Sequence, residues 1–314
     1  VLRRLPRVRA VSLHSRHLDH RRHHGRRWLA LSLLATLVGC GARHPGAGDD
    51  AGGDLTPPEP FWRTVKGSYE HWWPTITLLA DGSLLLAGGE RDVPASEAKR
   101  FLPERNELVA EQPMRTRRSK HDATRLADGR VLVCGGGYRQ PPTLAPFFSE
   151  IFDPTQPLGR RWREVANNSG GTPVLLDNGK VLRVYRGGDY PANYPQVAIP
   201  PVPNSRFDPH SESWTKLNTP PSGQQLRTAR GFPAPDDDAY VVGLGLKNYR
   251  IEHLSGETGR VKTSWPLKKP RHRAGVARVG EHAFVLVGAE DIDDPQSQQT
   301  GERIDLVSGE HTLF

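Results

Sequence analysis

The chain has 314 residues, of which 36% are hydrophobic and 25% are charged, which is enough for one large domain or two average ones. Its formal net charge of +8 at pH 7 would suit a protein that binds nucleic acid. However, residues 1–39 hold nine arginines against one acidic residue, Asp19, and so account for the whole excess. The rest of the chain is neutral, which excludes nucleic-acid binding driven by overall charge.

The first predicted element is a hydrophobic segment at 28–38, "WLALSLLATLV", which directly follows Arg26 and Arg27. A basic start followed by a short apolar run is typical of an export signal, and this run is too short to span a bilayer as a helix. The segment ends in "LVGC", which resembles the lipobox of bacterial lipoproteins. That resemblance implies removal of residues 1–39 and attachment of lipid to Cys40. The alternative is an ordinary secretory signal with a chance cysteine.

Residues 40–60 are predicted to form a flexible tether, because they are rich in Gly, Pro and Asp and poor in aliphatic side chains. Gly41, and not Asp, follows the cysteine. Among lipoproteins of Gram-negative bacteria this implies the outer membrane. The sequence therefore predicts a lipid-anchored protein of the bacterial cell envelope, with its folded domain at 61–314.

A repeated pattern of two short strands joined by a tight turn begins after the tether. Three copies are clear and two are weaker: 75–89, 123–136, 172–188, 231–245 and 274–288. The turns of the clear copies hold Asp81-Gly82, Asp128-Gly129 and Asn178-Gly179, at spacings of 47 and 50 residues. Such dipeptides favour a two-residue type I′ hairpin, in which both turn residues adopt positive φ.

Each hairpin is followed by a third strand with an aromatic or aliphatic residue next to a polar one, and in several copies by a fourth strand. The third strands are predicted at 97–104, 149–154, 205–209, 249–257 and 302–310. Fourth strands are marked by Trp162, Trp214 and, less clearly, Trp265. A unit of four short antiparallel strands cannot bury both of its faces alone. Radial stacking of such units into an all-β β-propeller solves this problem.

The combination of an Asp-Gly hairpin, a Gly-Gly pair, an Asp-Pro third strand and a following tryptophan resembles kelch repeats. That resemblance implies a kelch-type β-propeller and says little about function. The repeats predict five four-stranded blades; six or seven, some of them unrecognised, are the alternative. The segment 60–68, "PFWRTVKGS", looks like a fourth strand without a hairpin. We therefore expect 62–65, as an N-terminal strand, to close the last blade.

Motifs that could carry chemistry are few. The glycines at 135–137 run into prolines and not into a helix, which argues against dinucleotide binding and favours close packing. Cys134 takes the place of Ala87 in the first copy and is predicted to be a buried small residue and not a nucleophile. The acidic run at 290–294 could bind calcium, but it lacks the ligand spacing of a calcium loop. We identify no catalytic residue, metal site or cofactor, and do not expect an enzyme.

A basic surface is predicted at one end of the propeller. In a four-stranded antiparallel blade, the loops between the second and third strands emerge at the same end as the connections between blades. Those connections hold ten basic residues and no acidic one, and the long loops add tyrosines. The candidate ligand-facing rim comprises Arg117, Arg118, Tyr138, Tyr190, Tyr194, Arg271 and Arg273. The alternative is that such arginines bind the backbone of neighbouring blades.

The sequence thus predicts an exported kelch-repeat lipoprotein that binds or scaffolds an unknown protein or an anionic glycan of the cell envelope. It predicts no nucleic-acid partner, and membrane contact only through the lipid anchor. One alternative is a propeller enzyme acting on carbohydrate. Another is a protein like the copper-radical oxidases, which also use kelch-type propellers. That resemblance would imply a cysteine cross-linked to a tyrosine, a second tyrosine and two histidines on the metal, and no matching motif identifies them here.

Overall fold

The computed structural model describes residues 64–136, 148–165, 171–185, 203–218, 229–244, 249–269, 274–288 and 300–314. Within these ranges the regular elements are twenty β-strands, arranged as five antiparallel sheets of four strands each. These sheets are the blades of a five-bladed β-propeller, which confirms the predicted all-β fold class. None of the described residues belongs to a helix with the length and hydropathy needed to cross a bilayer.

Each blade uses four strands that are consecutive in the chain and paired with their sequence neighbours. The first blade contains β1 (Thr75–Leu78), β2 (Leu84–Ala87), β3 (Ala98–Leu102) and β4 (Glu107–Glu111). The second contains β5 (Asp122–Arg125), β6 (Val131–Cys134), β7 (Ser149–Phe152) and β8 (Trp162–Val165). The third contains β9 (Thr172–Leu175), β10 (Val181–Val184), β11 (Ser205–Asp208) and β12 (Ser213–Lys216).

The two blades predicted from weaker repeats have the same order of strands. The fourth contains β13 (Ala229–Ala234), β14 (Asp238–Leu244), β15 (Tyr249–Leu254) and β16 (Val261–Pro266). The fifth contains β17 (Gly275–Val279), β18 (Ala283–Val287), β19 (Gly301–Asp305) and β20 (His311–Leu313). The tryptophans used as markers, Trp162, Trp214 and Trp265, all lie in fourth strands as predicted.

In the three clear repeats, the turns between first and second strands differ from the predicted type I′ geometry. In the first blade, the backbone N–H of Leu79 donates to Ser83 O at 2.8 Å, and that of Gly82 donates to Leu79 O at 3.2 Å. Of the Asp-Gly pair, only Gly82 has a positive φ, 84°. This is a three-residue loop, a type I turn followed by one left-handed glycine. Asp81 accepts hydrogen bonds from the N–H and the hydroxyl of Ser83, which explains the aspartate before the glycine.

The structure also corrects the predicted closure of the last blade by an N-terminal strand at 62–65. The fourth strand of the fifth blade is β20, paired with β19. The N-terminal segment instead lies on the first blade, where Lys66 N donates to Asn106 O at 2.9 Å and Leu108 N donates to Lys66 O at 2.8 Å. Sequence reasoning missed β20 because this strand has only three residues and lacks the tryptophan that marks β8, β12 and β16.

Alternate side chains of a blade pack against the blades on either side, as the two-residue period of a strand requires. In β6, Val131 and Val133 belong to a buried cluster shared with the first blade, whereas Leu132 and Cys134 belong to one shared with the third. Further buried clusters join the third blade to the fourth and the fourth to the fifth. The strand order places the loops between second and third strands, and the connections between blades, at one end. We call this end the upper face and the end with the hairpin turns the lower face.

Candidate functional site

An exposed pair of tryptophans lies on the upper face, directly before β1. Trp72 is 40% exposed and Trp73 is 38% exposed, and their rings meet edge to face with centroids 6.2 Å apart. The ammonium of Lys120, from the connection into the second blade, lies 4.3 Å from the centroid of the Trp73 ring. A cation at this distance is attracted by the aromatic face. We call Trp72, Trp73 and Lys120 the tryptophan platform.

Trp73 and Lys120 occupy the same position in successive repeats, since they are 47 residues apart, like Asp81 and Asp128. Both adopt the left-handed backbone conformation, with φ of 55°. That conformation is strained for a bulky side chain and persists only where surrounding contacts enforce it. The chain therefore holds these two side chains at defined places on the rim.

The contacts that enforce this geometry come from the loop between β2 and β3. Trp72 N donates to Glu90 O at 2.7 Å, and Glu90 N donates to Trp72 O at 2.8 Å. Gly89 N donates to Arg118 O at 2.8 Å, which ties the same loop to the connection into the second blade. A Cβ atom at Gly89 would lie 2.6 Å from Trp72 O, so glycine is required for this approach. The predicted packing role of the Gly-Gly pairs is confirmed here.

Beneath the platform, Arg118 and Glu150 form an ion pair whose side chains are both fully buried. Arg118 Nε donates to Glu150 Oε1 at 3.1 Å, Nη1 donates to Gly135 O at 2.8 Å and Nη2 donates to Phe148 O at 2.6 Å. Arg118 was predicted to face a ligand, and this prediction is wrong. Its guanidinium is bonded to backbone carbonyls, as in the alternative that the sequence left open, but these belong to the second blade itself and not to a neighbouring blade.

Glu150 also holds the connection that carries the exposed basic residues. Its carboxylate accepts hydrogen bonds from the backbone N–H groups of Arg115, at 2.8 Å, and Thr116, at 3.1 Å. Arg117 is exposed, as its predicted place on the rim requires, and so is Arg115. The buried pair thus fixes the connection that carries these exposed cations and Lys120.

A second buried arginine, which the sequence did not single out, lies in the third blade. Arg183 Nε donates to Ser205 Oγ at 2.9 Å and Nη2 donates to Pro203 O at 2.7 Å. Burial lowers the pKa of this guanidinium to about 10, so it remains charged at neutral pH. The basic connections drew attention in the sequence, whereas an arginine inside the apolar strand "VLRV" gave no comparable signal.

A hydrogen-bonded group on the first blade includes two residues that closely precede the tryptophans in the chain, Tyr69 and His71. His71 Nε2 lies 2.6 Å from Glu97 Oε2, and the Tyr69 hydroxyl donates to Gly88 O at 2.7 Å. Burial raises the pKa of Tyr69 far above its ordinary range, so the phenol stays protonated. Partial burial raises the pKa of Glu97, but hydrogen bonds from His71 and Lys99 lower it by more, so this carboxylate stays ionised.

Of the other residues singled out in the sequence, Cys134 is buried, and the rest lie outside the described residues. Cys134 is buried, burial raises the pKa of its thiol to about 11, and Ser149 Oγ lies 3.7 Å from its sulfur. Its predicted role as a small packing residue is confirmed. Outside the described residues lie Cys40, Tyr138, Tyr190, Tyr194, Arg271, Arg273 and the acidic run 290–294.

The platform offers aromatic faces and cations for recognition. Within the described ranges, no three His, Cys, Asp or Glu side chains lie close enough together to hold a metal ion. The tryptophans were visible in the sequence as "HWWPT", just before the predicted strand that begins at residue 75 and so outside the part of the repeat that is expected to be buried. That signal could have identified the site.

No protein-family model and no curated protein matches the chain. Among solved structures, the chain is similar to a fungal alcohol oxidase of the AA5 family in complex with copper, with a TM-score of 0.55 and 16% identity. The match covers 78% of this chain and 53% of that one, so the chain spans about half the length of the structure it resembles. At this identity the likeness supports the β-propeller fold alone.

Proposed function

We propose that this protein is an exported kelch-repeat lipoprotein whose propeller binds an anionic glycan of the cell envelope through the tryptophan platform. The observation that carries the proposal is the exposure of Trp72 and Trp73 beside Lys120, on a rim fixed by hydrogen bonds, with Arg117 exposed on the same connection as Lys120. Exposed aromatic rings on a rigid scaffold provide anchoring area at low entropic cost.

The chemistry of the platform favours a carboxylated sugar. Indole faces pack against the C–H faces of pyranose rings, and the neighbouring ammonium and guanidinium groups can form charge-assisted hydrogen bonds with carboxylates. These cations are solvent-exposed, so their contribution falls as salt increases. An acidic protein would engage the cations but would not need two adjacent indoles.

Binding to polygalacturonate, with dextran as the neutral probe, tests this proposal. We expect the full chain to retain polygalacturonate and not dextran, and added salt to weaken the interaction. Trp72→Ala should weaken binding roughly tenfold, because truncating an anchoring aromatic costs more than about 1 kcal/mol. Lys120→Gln should weaken it less, since exposed ion pairs contribute about 0.2–1 kcal/mol.

The matched controls lie on the lower face, at the turns between third and fourth strands. Leu158→Ala removes a side chain that is 71% exposed, and Arg105→Gln removes an exposed cation. Both should leave binding unchanged. Equal retention of dextran, or retention of polyglutamate but not of polygalacturonate, would refute the assignment to an anionic glycan.

The lipid anchor rests on the sequence at 28–40 and is tested separately from ligand binding. Cys40→Ser should abolish incorporation of labelled palmitate and release the chain from the membrane fraction, because acyl chains at this cysteine supply the attachment. Unlabelled wild-type protein in the membrane fraction would contradict the lipoprotein assignment without affecting the glycan site.

The oxidase alternative is favoured by no observation on the described residues. The likeness to the copper-bound alcohol oxidase concerns the fold, and Cys134 is a buried thiol packed beside Ser149. A propeller enzyme that acts on carbohydrate would place its reactive groups on the same upper face. Turnover of polygalacturonate in the binding assay would reveal it.

A further inference from the structure

A carboxylate adjoins the tryptophan platform and has no part in the cation-based binding described so far. Glu90, in the loop between β2 and β3, is paired with Trp72 by two backbone hydrogen bonds, one in each direction. In such an antiparallel pair the two side chains stand on the same side of the ladder, with Cβ atoms about 5 Å apart. The Glu90 side chain is therefore a direct neighbour of the exposed Trp72 side chain.

One oxygen of this carboxylate is held in place and the other is open. The hydroxyl of Ser119, which is 2% exposed, donates to Glu90 Oε2 at 2.7 Å. Among the residues that the structure describes, no donor and no cation pairs with Oε1, and this oxygen is not buried. A carboxylate oxygen accepts hydrogen bonds, so Oε1 is a fixed acceptor available to a donor on a ligand.

The cation of the platform lies at the other tryptophan. Lys120 is exposed and its ammonium lies 4.3 Å from the centroid of the Trp73 ring. No carboxylate in the described part of the chain pairs with this ammonium. The platform thus has an acceptor beside Trp72 and a cation beside Trp73, and the centroids of the two rings are 6.2 Å apart.

We propose that Glu90 is a specificity-determining residue, which accepts hydrogen bonds from ring hydroxyls of a uronic acid unit while the carboxylate of that unit faces Lys120. This inference rests on the anionic-glycan binding proposed above and specifies the chemistry of the glycan. In the galacturonate units of polygalacturonate, the two free hydroxyls and the carboxylate lie on opposite edges of the pyranose ring. Such a unit, packed on the indoles, presents donors to Glu90 and an acceptor to Lys120.

The fixed carboxylate also selects against anions that lack hydroxyl groups. Such an anion would bring its charge towards Glu90 and would cover Oε1 without giving it a donor, and both effects are unfavourable. A uronate gives Oε1 its hydroxyls and keeps its own carboxylate on the side of Trp73. Glu90 therefore distinguishes a uronate polymer from a polyanion such as polyglutamate, which the exposed cations alone would not do.

Acetylation of the glycan hydroxyls tests this contact, because it removes the donors and leaves the number of carboxylates unchanged. We expect the full chain to bind polygalacturonate roughly tenfold more tightly than its O-acetylated form, which is the discrimination that one hydrogen bond to a charged group supports. Glu90→Gln keeps the shape of the side chain and an acceptor for Ser119, but the acceptor becomes neutral. The discrimination should then fall to about threefold or less.

The ratio of the two affinities isolates the hydroxyl contact from overall charge. Both glycans carry the same charge, so the repulsion that Glu90→Gln relieves cancels when their affinities are compared within one protein. Glu90→Ala removes the acceptor altogether and should abolish the discrimination. Asp92→Asn is the matched control, since it removes a negative charge from an exposed residue of the same loop and leaves Glu90 in place. It should discriminate as the wild-type protein does.

The outcomes separate the role of Glu90 from the glycan site itself. Equal binding of the two glycans by the wild-type protein would overturn the role of Glu90 and leave the glycan site standing. So would undiminished discrimination in both Glu90→Gln and Glu90→Ala, or a loss of discrimination in Asp92→Asn as large as theirs. Failure of the wild-type protein to bind polygalacturonate at all would overturn the glycan site and this inference together.

Discussion

The second and third blades each have a buried guanidinium beside the start of the third strand, but the arginine that supplies it comes from a different part of the repeat. In the second blade it belongs to Arg118, on the connection before β5, and in the third to Arg183, within β10. Both donate to a carbonyl of the loop before the third strand, Phe148 O in one case and Pro203 O in the other. These two carbonyls are equivalent, because each stands two residues before the side chain that accepts from Nε.

The acceptor of the Nε proton differs between the two blades. Glu150 occupies that position in β7 and Ser205 occupies it in β11, opposite Val133 and Arg183 respectively. The repeat therefore preserves a cation that holds the loop between second and third strands, and it does not preserve the residue that supplies the cation. In the second blade the acceptor, Glu150, has a second role, because its carboxylate also fixes the connection on which Arg117 is exposed.

Of the substitutions that test this comparison, a change at Glu150 should have the largest effect on stability. Glu150→Ala would leave the Arg118 guanidinium buried without its carboxylate and would remove the acceptor for Arg115 N and Thr116 N. Breaking a buried ion pair by removing one partner costs about 3–5 kcal/mol. The free energy of unfolding, measured in urea, should fall by this amount.

Glu104→Ala removes an exposed carboxylate of the first blade and is the control. It should change stability by less than about 0.5 kcal/mol. The Glu150→Ala protein should also bind polygalacturonate more weakly, since the connection that carries Arg117 and Lys120 loses its support. Unchanged stability in Glu150→Ala would show that the buried pair does not hold the blade.

The sequence was sufficient for the architecture because blade formation depends on short local patterns. Apolar strands recur in every unit, with a turn glycine in most units and a marker tryptophan in three, so the number of blades could be predicted. The closing strand was misassigned because Lys66 pairs with Asn106 and Leu108, about forty residues away. No local pattern records a partner at that distance.

The candidate site was predicted less well, for the same reason. Arg117 and Arg118 are adjacent in a basic run and look alike, yet one is exposed and the other is wholly buried. The difference in burial between the two arginines depends on Glu150 in β7, which binds Arg118 and lies about thirty residues further along the chain. The turn type was misread because both hairpin forms use Asp-Gly, and they differ only in whether the aspartate takes positive φ.

Ser205→Ala should have a smaller effect than Glu150→Ala and so sharpens the comparison. The substitution removes the neutral hydroxyl that accepts from Arg183 Nε, while the bond from Nη2 to Pro203 O remains. Loss of one hydrogen bond to a charged group contributes about 1.5–3 kcal/mol. We expect a cost at the lower end of this range, because the acceptor that is lost is neutral and the guanidinium keeps its bond to Pro203 O.

Urea unfolding of Ser205→Ala should be compared with that of Ser211→Ala, which alters an exposed serine of the same blade and should leave stability unchanged. A loss as large as that of Glu150→Ala would mean that the guanidinium depends on the side chain opposite it and not on the loop carbonyl. The shared feature of the two blades would then be the acceptor in the third strand. A small loss, together with a large one at Glu150, would instead locate the common element in the contact between the arginine and the loop, with the carboxylate as an addition specific to the blade beside the tryptophan platform.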